Sequence, residues 1–181
     1  MLQFSISVGN NIQDTKEQFY RIGEFPGAIG GIDCTHVPIK SPRGDNAEIY
    51  RNRKGWMSLN VQIVCGPKMQ IFDIVCRWPG SVHDSRIYNN SRVKLLIESN
   101  ALAGHLIGDS GYPQSKFLYT PKLNPSTAAE NKYNKSHIKT RNVIERVKGV
   151  PTQKSISLFM QKAPYKTSNF NFDHRFMCYT S

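Results

Sequence analysis

The sequence predicts a single domain of mixed α/β architecture, and three observations lead to that prediction. Residues 58–66, SLNVQIVCG, alternate apolar and polar side chains, which is the period-2 pattern of a strand. A second apolar run, MQIFDIVCRW, follows directly after the turn GPK, so the two runs predict an antiparallel hairpin. Two later segments repeat apolar residues with the helical period. A chain of 181 residues suits one such layered domain.

Strands are also predicted on either side of this hairpin. The first strand opens at Ile29 in AIGGIDCTHVPIK, and the polar, turn-rich loop SPRGDNAEIYRNRKG follows it. In the hairpin, Leu59 shares one face with the apolar residues at 61, 63 and 65, so this strand is predicted to be half-buried. GHLIGDSGY is predicted as a short buried strand with Asp109 at its carboxyl end.

Two helices complete the predicted order of strand, hairpin pair, helix, strand and helix. The first covers SVHDSRIYNNSRVKLLIESN, with Ser81 as its N-cap. The second, KSHIKTRNVIERVKGV, presents Val143, Ile144 and Val147 on one side, and Pro151 is expected to stop it. The intervening segment QSKFLYTPKLNPSTAAENKYN contains two prolines and is predicted to be loop.

The charge of the chain narrows the classes of partner. Lysine and arginine number 24 against 13 acidic residues, and the resulting formal net charge of +11 indicates an anionic partner, nucleic acid first. No apolar run approaches the roughly 20 residues that span a bilayer, so a membrane-spanning protein is not expected. The N-terminus lacks the basic start and apolar block of a secretory signal. The four cysteines form no C-x-x-C pair, which favours reduced thiols in the cytosol or nucleus.

Three acidic residues are candidates for a metal site. Asp33 lies in the first strand, Asp109 ends a later strand, and Glu145 is on the final helix. Because side chains at the carboxyl ends of neighbouring strands converge, these acids could form an oxygen-rich site for Mg²⁺ or Mn²⁺. Two such ions would support phosphodiester hydrolysis. The alternatives are that Asp109 is a turn residue or helix cap, and that Glu145 is half of a surface ion pair.

Five long motifs follow one another along about residues 25–147: FPGAIGGIDCTHVPIKSP, YRNRKGWMSLNVQIVC, RWPGSVHDSRIYNNS, LIGDSGYP and TPKLNPSTAAENKYNKSHIKTRNVIERV. Together they resemble the PIF/Harbinger transposase-derived nucleases, a DDE superfamily group with a ribonuclease H-like fold. The resemblance implies a metal-dependent DNA nuclease whose catalytic and metal-binding acids are Asp33, Asp109 and Glu145. It also implies a nuclear protein, present in the cytoplasm too, with a Myb-like partner and no small-molecule cofactor.

Other residues are candidates for supporting roles. Asp84, His36 and His83 fall in family motifs. Asp84 could be a fourth carboxylate of the site or could orient its ligands, with helix capping as the alternative. His36 and His83 could each orient a carboxylate or contact a phosphate, with structural roles as the alternative. Where basic and aromatic residues alternate, the basic side chains suit contact with phosphates and the aromatic side chains suit stacking on bases. The alternative is that such a segment is only a solvated loop. The candidate nucleic-acid-binding residues are Arg51, Arg53 and Lys54, between Tyr50 and Trp56, and Lys139, Arg141 and Arg146 with Lys148 on the last helix.

The chain also departs from this family's pattern. Cys34 stands where the family usually has glycine, directly after the first acid, and the resemblance stops after Val147, so the last helix is expected to be truncated. The predicted organisation is a short N-terminal remnant at 1–24, a nuclease domain at 25–150 and a divergent tail at 151–181. These departures leave an alternative open: a catalytically inactive, domesticated or truncated remnant that binds DNA or protein.

Overall fold

The structure is a computed structural model that describes residues 12–42 and 44–149. Five strands form one mixed sheet in the order β3-β2-β1-β4-β5, and helices lie on both of its faces. This confirms the predicted α/β class with a ribonuclease H-like mixed sheet. The strands are β1 Ala28–Pro38, β2 Ser58–Cys65, β3 Ile71–Pro79, β4 His105–Ile107 and β5 Leu118–Tyr119, and the helices are α1 Ile12–Gly23, α2 Asp84–Asn89, α3 Arg92–Glu98 and α4 Ala128–Val147, with a single 3₁₀ turn at Ala47–Tyr50.

Strand β1 is the centre of the sheet. It pairs antiparallel with β2, which in turn forms the predicted antiparallel hairpin with β3. On its other edge β1 pairs parallel with β4, and β4 pairs parallel with β5. The predicted strand positions are therefore confirmed, while β5 lies in a segment predicted to be loop.

Strand β2 is more deeply buried than its alternating sequence predicts. All eight of its residues are buried, since helices cover both faces of the sheet. Its apolar side chains, such as Val61, join the core beneath α1 and α4. Its polar side chains, including Asn60 and Gln62, are buried on the opposite face instead of facing water. The prediction of a half-buried strand is wrong for this reason.

The two long helices pack against each other on one face of the sheet. Helix α1, which the sequence patterns did not indicate, buries Phe19 completely against this core. Gly23 makes the close approach possible, because a Cβ atom there would lie 2.1 Å from Thr140 Oγ1 and 2.8 Å from Thr140 N of α4. Helix α4 adds Ile144, also fully buried, to the same core.

The segment predicted as one helix at 81–100 forms two short helices. Helix α2 follows His83, whose side chain makes no capping hydrogen bond, so Ser81 is not the N-cap. Helix α3 begins after Ser91, whose hydroxyl accepts a hydrogen bond from Lys94 N at 3.3 Å. This local cap competes with continuation of the first helix and explains the break.

Helix α4 begins earlier than predicted. Thr127 and Glu130 form a capping box, in which each side chain accepts a hydrogen bond from the other residue's backbone N–H. The segment 128–134, predicted to be loop, is therefore helical. The helix ends at Val147, before Pro151, which lies outside the described residues. Among the described helices, none has the length and apolar character needed to cross a membrane.

Candidate active site

Strand register brings Asp33 and Asp109 together. Gly31 of β1 pairs with Ile107 of β4, and the two aspartates each come two residues later. Since side chains alternate along a strand, both residues keep the facing of that pair. Asp33 is only 2% exposed, and its Oδ1 accepts a hydrogen bond from Cys34 N at 2.7 Å. Asp109 lies just past β4, and its Oδ1 accepts from Gly111 N at 2.9 Å. The parallel pairing of β1 with β4 thus fixes two of the predicted acids.

Asp84 completes a group of three carboxylates. It is the first residue of α2, and its Oδ1 accepts a hydrogen bond of 2.8 Å from the Asn60 side chain of β2. One carboxylate oxygen from each of Asp33, Asp84 and Asp109 lies within 4.8 Å of the others. The structure therefore places Asp84 beside the two strand acids, which fits the possible role of Asp84 as a further carboxylate of the site.

Glu145 reaches this acid cluster, defined as Asp33, Asp84 and Asp109, only through two cations. Arg141 Nη2 lies 2.7 Å from Asp33 Oδ2, 2.7 Å from Glu145 Oε1 and 3.9 Å from Asp109 Oδ2. Lys148 Nζ lies 2.6 Å from Asp33 Oδ2 and 3.1 Å from Glu145 Oε2. The Glu145 side chain is 43% exposed, and it belongs to ion pairs on its own helix as well as to the edge of the cluster. Its role as a metal ligand stays a prediction.

Burial and charge perturb the ionisation of these groups. Burial first, and then the charge of Asp33, raise the pKa of Asp109. Burial alone would lower the pKa of Lys148, but its hydrogen bonds and charge interactions with Asp33 and Glu145 outweigh burial and leave that pKa raised. Both shifts follow from negative charge concentrated in a partly desolvated space. A cation placed there is stabilised.

Cys34 faces away from the two strand acids. Its Sγ lies 3.3 Å from the hydroxyl of Tyr112, within the core that packs against α2 and α3. Burial, and then the charge of Asp84, raise the pKa of its thiol. The thiol is therefore protonated at neutral pH, and its bulk fits beside Asp33 without displacing the Asp33 carboxylate from the cluster.

The two candidate histidines lie beside the site without entering the acid cluster. His36 Nδ1 is 3.0 Å from Ser58 Oγ, and its ring makes an edge contact with Trp56. Burial lowers the pKa of His36. His83 is exposed at the start of α2 and contacts the Arg53 guanidinium. Their proposed contacts with phosphate stay predictions.

The basic candidates fall into two groups. Arg53, Lys54, Lys139 and Arg146 are exposed, as phosphate contact requires. Arg51 is also exposed, but its guanidinium forms a bidentate ion pair with Glu48 and donates to Gly55 O at 2.6 Å. Arg141 instead points into the acid cluster. Its predicted role in binding nucleic acid is untested, but its charge is already matched by Asp33 and Glu145.

An open cavity of about 700 Å³ lies by the first turns of α4, and Ser110, the residue after Asp109, is among its lining residues. Side chains of both polar and apolar character line it, among them Tyr112, Lys122 and Tyr133.

Comparison with known sequences decides the family. A sequence model of the family described as "DDE superfamily endonuclease" matches residues 32–163. The matched range contains Asp33, Asp84, Asp109 and Glu145 and covers well over half of the chain. The chain belongs to this family. The family resemblance predicted from the motifs is thereby confirmed, and the match continues past residue 150, where the nuclease domain was predicted to end.

Mammalian relatives of this DDE domain carry a nuclease name, and a plant relative carries a different one. The rat protein named "Putative nuclease HARBI1" is 38% identical over 136 residues, which cover 75% of this chain and 39% of the rat protein. The human protein of the same name is 36% identical over 137 residues, with the same two coverages. An Arabidopsis thaliana protein named "Protein ALP1-like" is 26% identical over 148 residues, which cover 73% of this chain and 36% of the plant protein. The chain thus spans about two-fifths of these relatives, and no solved structure matches it.

Sequence reasoning named Arg141 and Lys148 as candidates for binding nucleic acid and missed their contact with Asp33. Glu145 follows Arg141 by four residues and precedes Lys148 by three, and these are the spacings of ion pairs on one helix face. That spacing predicts the pairs with Glu145. The contact with Asp33 required the packing of α4 against β1, which the sequence does not contain as a local pattern.

Proposed function

We propose that this DDE domain is a metal-dependent nuclease of transposase origin that hydrolyses phosphodiester bonds in DNA through two divalent ions. The observation that carries the proposal is the meeting of Asp33, Asp84 and Asp109 within 4.8 Å, from three separate parts of the fold. Family membership and the nuclease names of the relatives support the same reaction class. Glu145 is the fourth acid of the proposed site.

The donor set fits Mg²⁺ or Mn²⁺. Carboxylate oxygens are the ligands that these hard cations prefer, and burial, followed by the charge of Asp33, raises the pKa of Asp109 in this site. When bound, such ions lower the pKa of a water and stabilise the leaving oxygen of an in-line displacement. The chain itself orients the ligands: Asn60 holds Asp84, Gly111 N holds Asp109, and Cys34 N holds Asp33.

The exposed basic residues would hold the DNA backbone. Arg53 and Lys54 lie on the loop before β2, and Lys139 and Arg146 lie on α4. Contacts from such side chains to phosphates give affinity that depends on salt and little on sequence. We further propose that the protein acts in the nucleus with a Myb-like partner, as expected for its family, with a cytoplasmic pool.

The test is cleavage of supercoiled plasmid by the purified full chain with Mg²⁺ or Mn²⁺. We expect nicking that EDTA abolishes and that Asp109→Asn reduces at least 100-fold, since a charged metal ligand is lost. Asp14→Asn, which removes an exposed acid of α1, is the matched control and should nick like the wild type. Equal nicking by wild type and Asp109→Asn would show that the activity does not come from this site.

A second function, binding without catalysis, is favoured by one specific observation. Arg141 and Lys148 already satisfy Asp33 Oδ2, the most buried carboxylate of the cluster. If this arrangement persists with metal present, the domain would bind DNA or a protein partner and not cleave. It predicts DNA binding that weakens steeply with salt, is unaffected by EDTA, and produces no nicked product.

A further inference from the structure

We propose that Lys148 is an internal counter-ion that competes with a divalent cation for Asp33, so that the clamp formed by Lys148 and Arg141 holds the acid cluster in a low-affinity state. This inference rests on the proposed metal-dependent function. Lys148 Nζ lies 2.6 Å from Asp33 Oδ2, and its side chain is only 20% exposed. It therefore lies inside the site rather than above it.

The hydrogen bonds of Asp33 leave little room for a metal. A carboxylate offers about four lone-pair positions on its two oxygens. Oδ2 accepts from both Lys148 and Arg141, and Oδ1 accepts from Cys34 N. An ion such as Mg²⁺ binds carboxylate oxygen at about 2.0–2.1 Å and would repel both cations at that distance. An ion that binds Oδ2 must displace at least one of these two donors, and an ion at the one position left on Oδ1 would still be repelled by both cations.

Lys148 is the donor that can leave. It is the C-cap residue, beyond the last helical residue Val147, and its ammonium is carried on a flexible four-carbon stem. Arg141 lies inside the helix and is also held by Glu145 at 2.7 Å and by Asp109 at 3.9 Å. Moving Lys148 off Asp33 needs only side-chain rotation or fraying of the helix end and breaks at most two ion pairs, whereas moving Arg141 out breaks three.

The charge balance of the site also indicates that the clamp weakens metal binding. Asp33, Asp84, Asp109 and Glu145 carry four negative charges when ionised, and the two cations leave a net charge of −2. One divalent ion would neutralise that remainder. Two ions match the four acids only when both cations have withdrawn. The clamp therefore weakens binding of the first ion and opposes binding of the second.

The experiment is titration calorimetry of Mn²⁺ and Mg²⁺ into the full chain, with four proteins compared. Lys148→Met removes the charge and keeps the length of the side chain, and Lys148→Arg keeps the charge. Lys135→Met removes an exposed charge from the same helix about 20 Å away along its axis, so it controls for net charge. Circular dichroism and a thermal melt in EDTA establish that each variant is folded.

We expect Lys148→Met to bind Mn²⁺ at least tenfold more tightly than the wild type. Lys148→Arg and Lys135→Met should bind within threefold of the wild type. If folded wild type and Lys148→Met bind with equal affinity, the clamp inference is overturned and the metal site stands. If neither folded protein binds either ion, the proposed metal-dependent function fails and the clamp inference with it. Binding by Lys148→Met alone, with none by the wild type, would support the clamp inference and count against metal-dependent cleavage by the wild type.

Discussion

Neutralising Asp33 and neutralising Asp109 should change stability in opposite directions. Asp33→Asn keeps the shape of the side chain and the bond from Cys34 N, but it places an amide where Arg141 and Lys148 now find a carboxylate. Removing one partner of a buried ion pair costs about 3–5 kcal/mol. Because both cations are about one-fifth exposed and keep Glu145, we expect a loss of about 2–3 kcal/mol.

Asp109→Asn should instead stabilise the metal-free protein. Burial and the charge of Asp33 raise the pKa of Asp109, so its ionised form is disfavoured in the folded state. Its side chain is 32% exposed, so we expect a gain on the order of 0.5 kcal/mol. The gain should vanish below about pH 4, where the carboxyl of the wild type is protonated in both the folded and unfolded states.

Urea unfolding followed by circular dichroism, at pH 7 and in EDTA, measures both variants on one scale. The opposite signs form the test, because a general effect of losing an acid from a protein of net charge +11 would destabilise both variants alike. A free energy of unfolding for Asp33→Asn within 0.5 kcal/mol of the wild type would refute the view that the ion pairs of Asp33 hold α4 on the sheet.

Three further predictions concern other parts of the molecule. Gly23→Ala places a methyl group 2.1 Å from Thr140 Oγ1, so α1 and α4 must separate, and urea unfolding should show a loss of about 1–3 kcal/mol. Burial and then Lys16 lower the pKa of His105 to about 4 from 6.5. The unfolded chain alone therefore takes up that proton as the pH falls through this range, so wild-type stability must fall there, and His105→Phe should lose less between pH 7 and pH 5. In DNA-binding assays, Lys139→Ala should lower the slope of log affinity against log salt by about 1, while Arg141→Ala should leave it unchanged, since the Arg141 charge is matched internally.

The sequence predicts the sheet better than the helices for a physical reason. Strands β1 to β4 are continuous apolar or alternating runs bounded by turn residues, and such runs are readable without tertiary contacts. Helix α1 has an amphipathic sequence in a segment that was assigned no structure, and its stability depends on Phe19 packing against the sheet and α4. The break between α2 and α3 depends on Ser91, which caps the start of α3. Ser91 lies inside the segment predicted as one helix, because the apolar residues on both sides of it recur with the helical period.

How well the sequence predicts the position of each site residue depends on the backbone element that carries it. Asp33 and Asp109 are neighbours because parallel strands β1 and β4 bring residues of matching register to the same edge, and this follows once both strands are identified. Asp84 comes from a loop-to-helix junction after β3, so its approach depends on the length of that connection and on Asn60 of β2. No periodic pattern encodes such a contact. Its sequence signal was only its presence in a family motif.

The basic residues show why composition alone misjudges where charge acts. A net charge of +11 counts every lysine and arginine as available to an anionic partner. Arg141 and Lys148 are instead directed at the chain's own carboxylates, and Arg51 is paired with Glu48. The same two cations on α4 therefore stabilise the acid cluster without metal and reduce its attraction for metal. A site built this way holds its acids close together before any ion is present, but its own two cations oppose the binding of an ion.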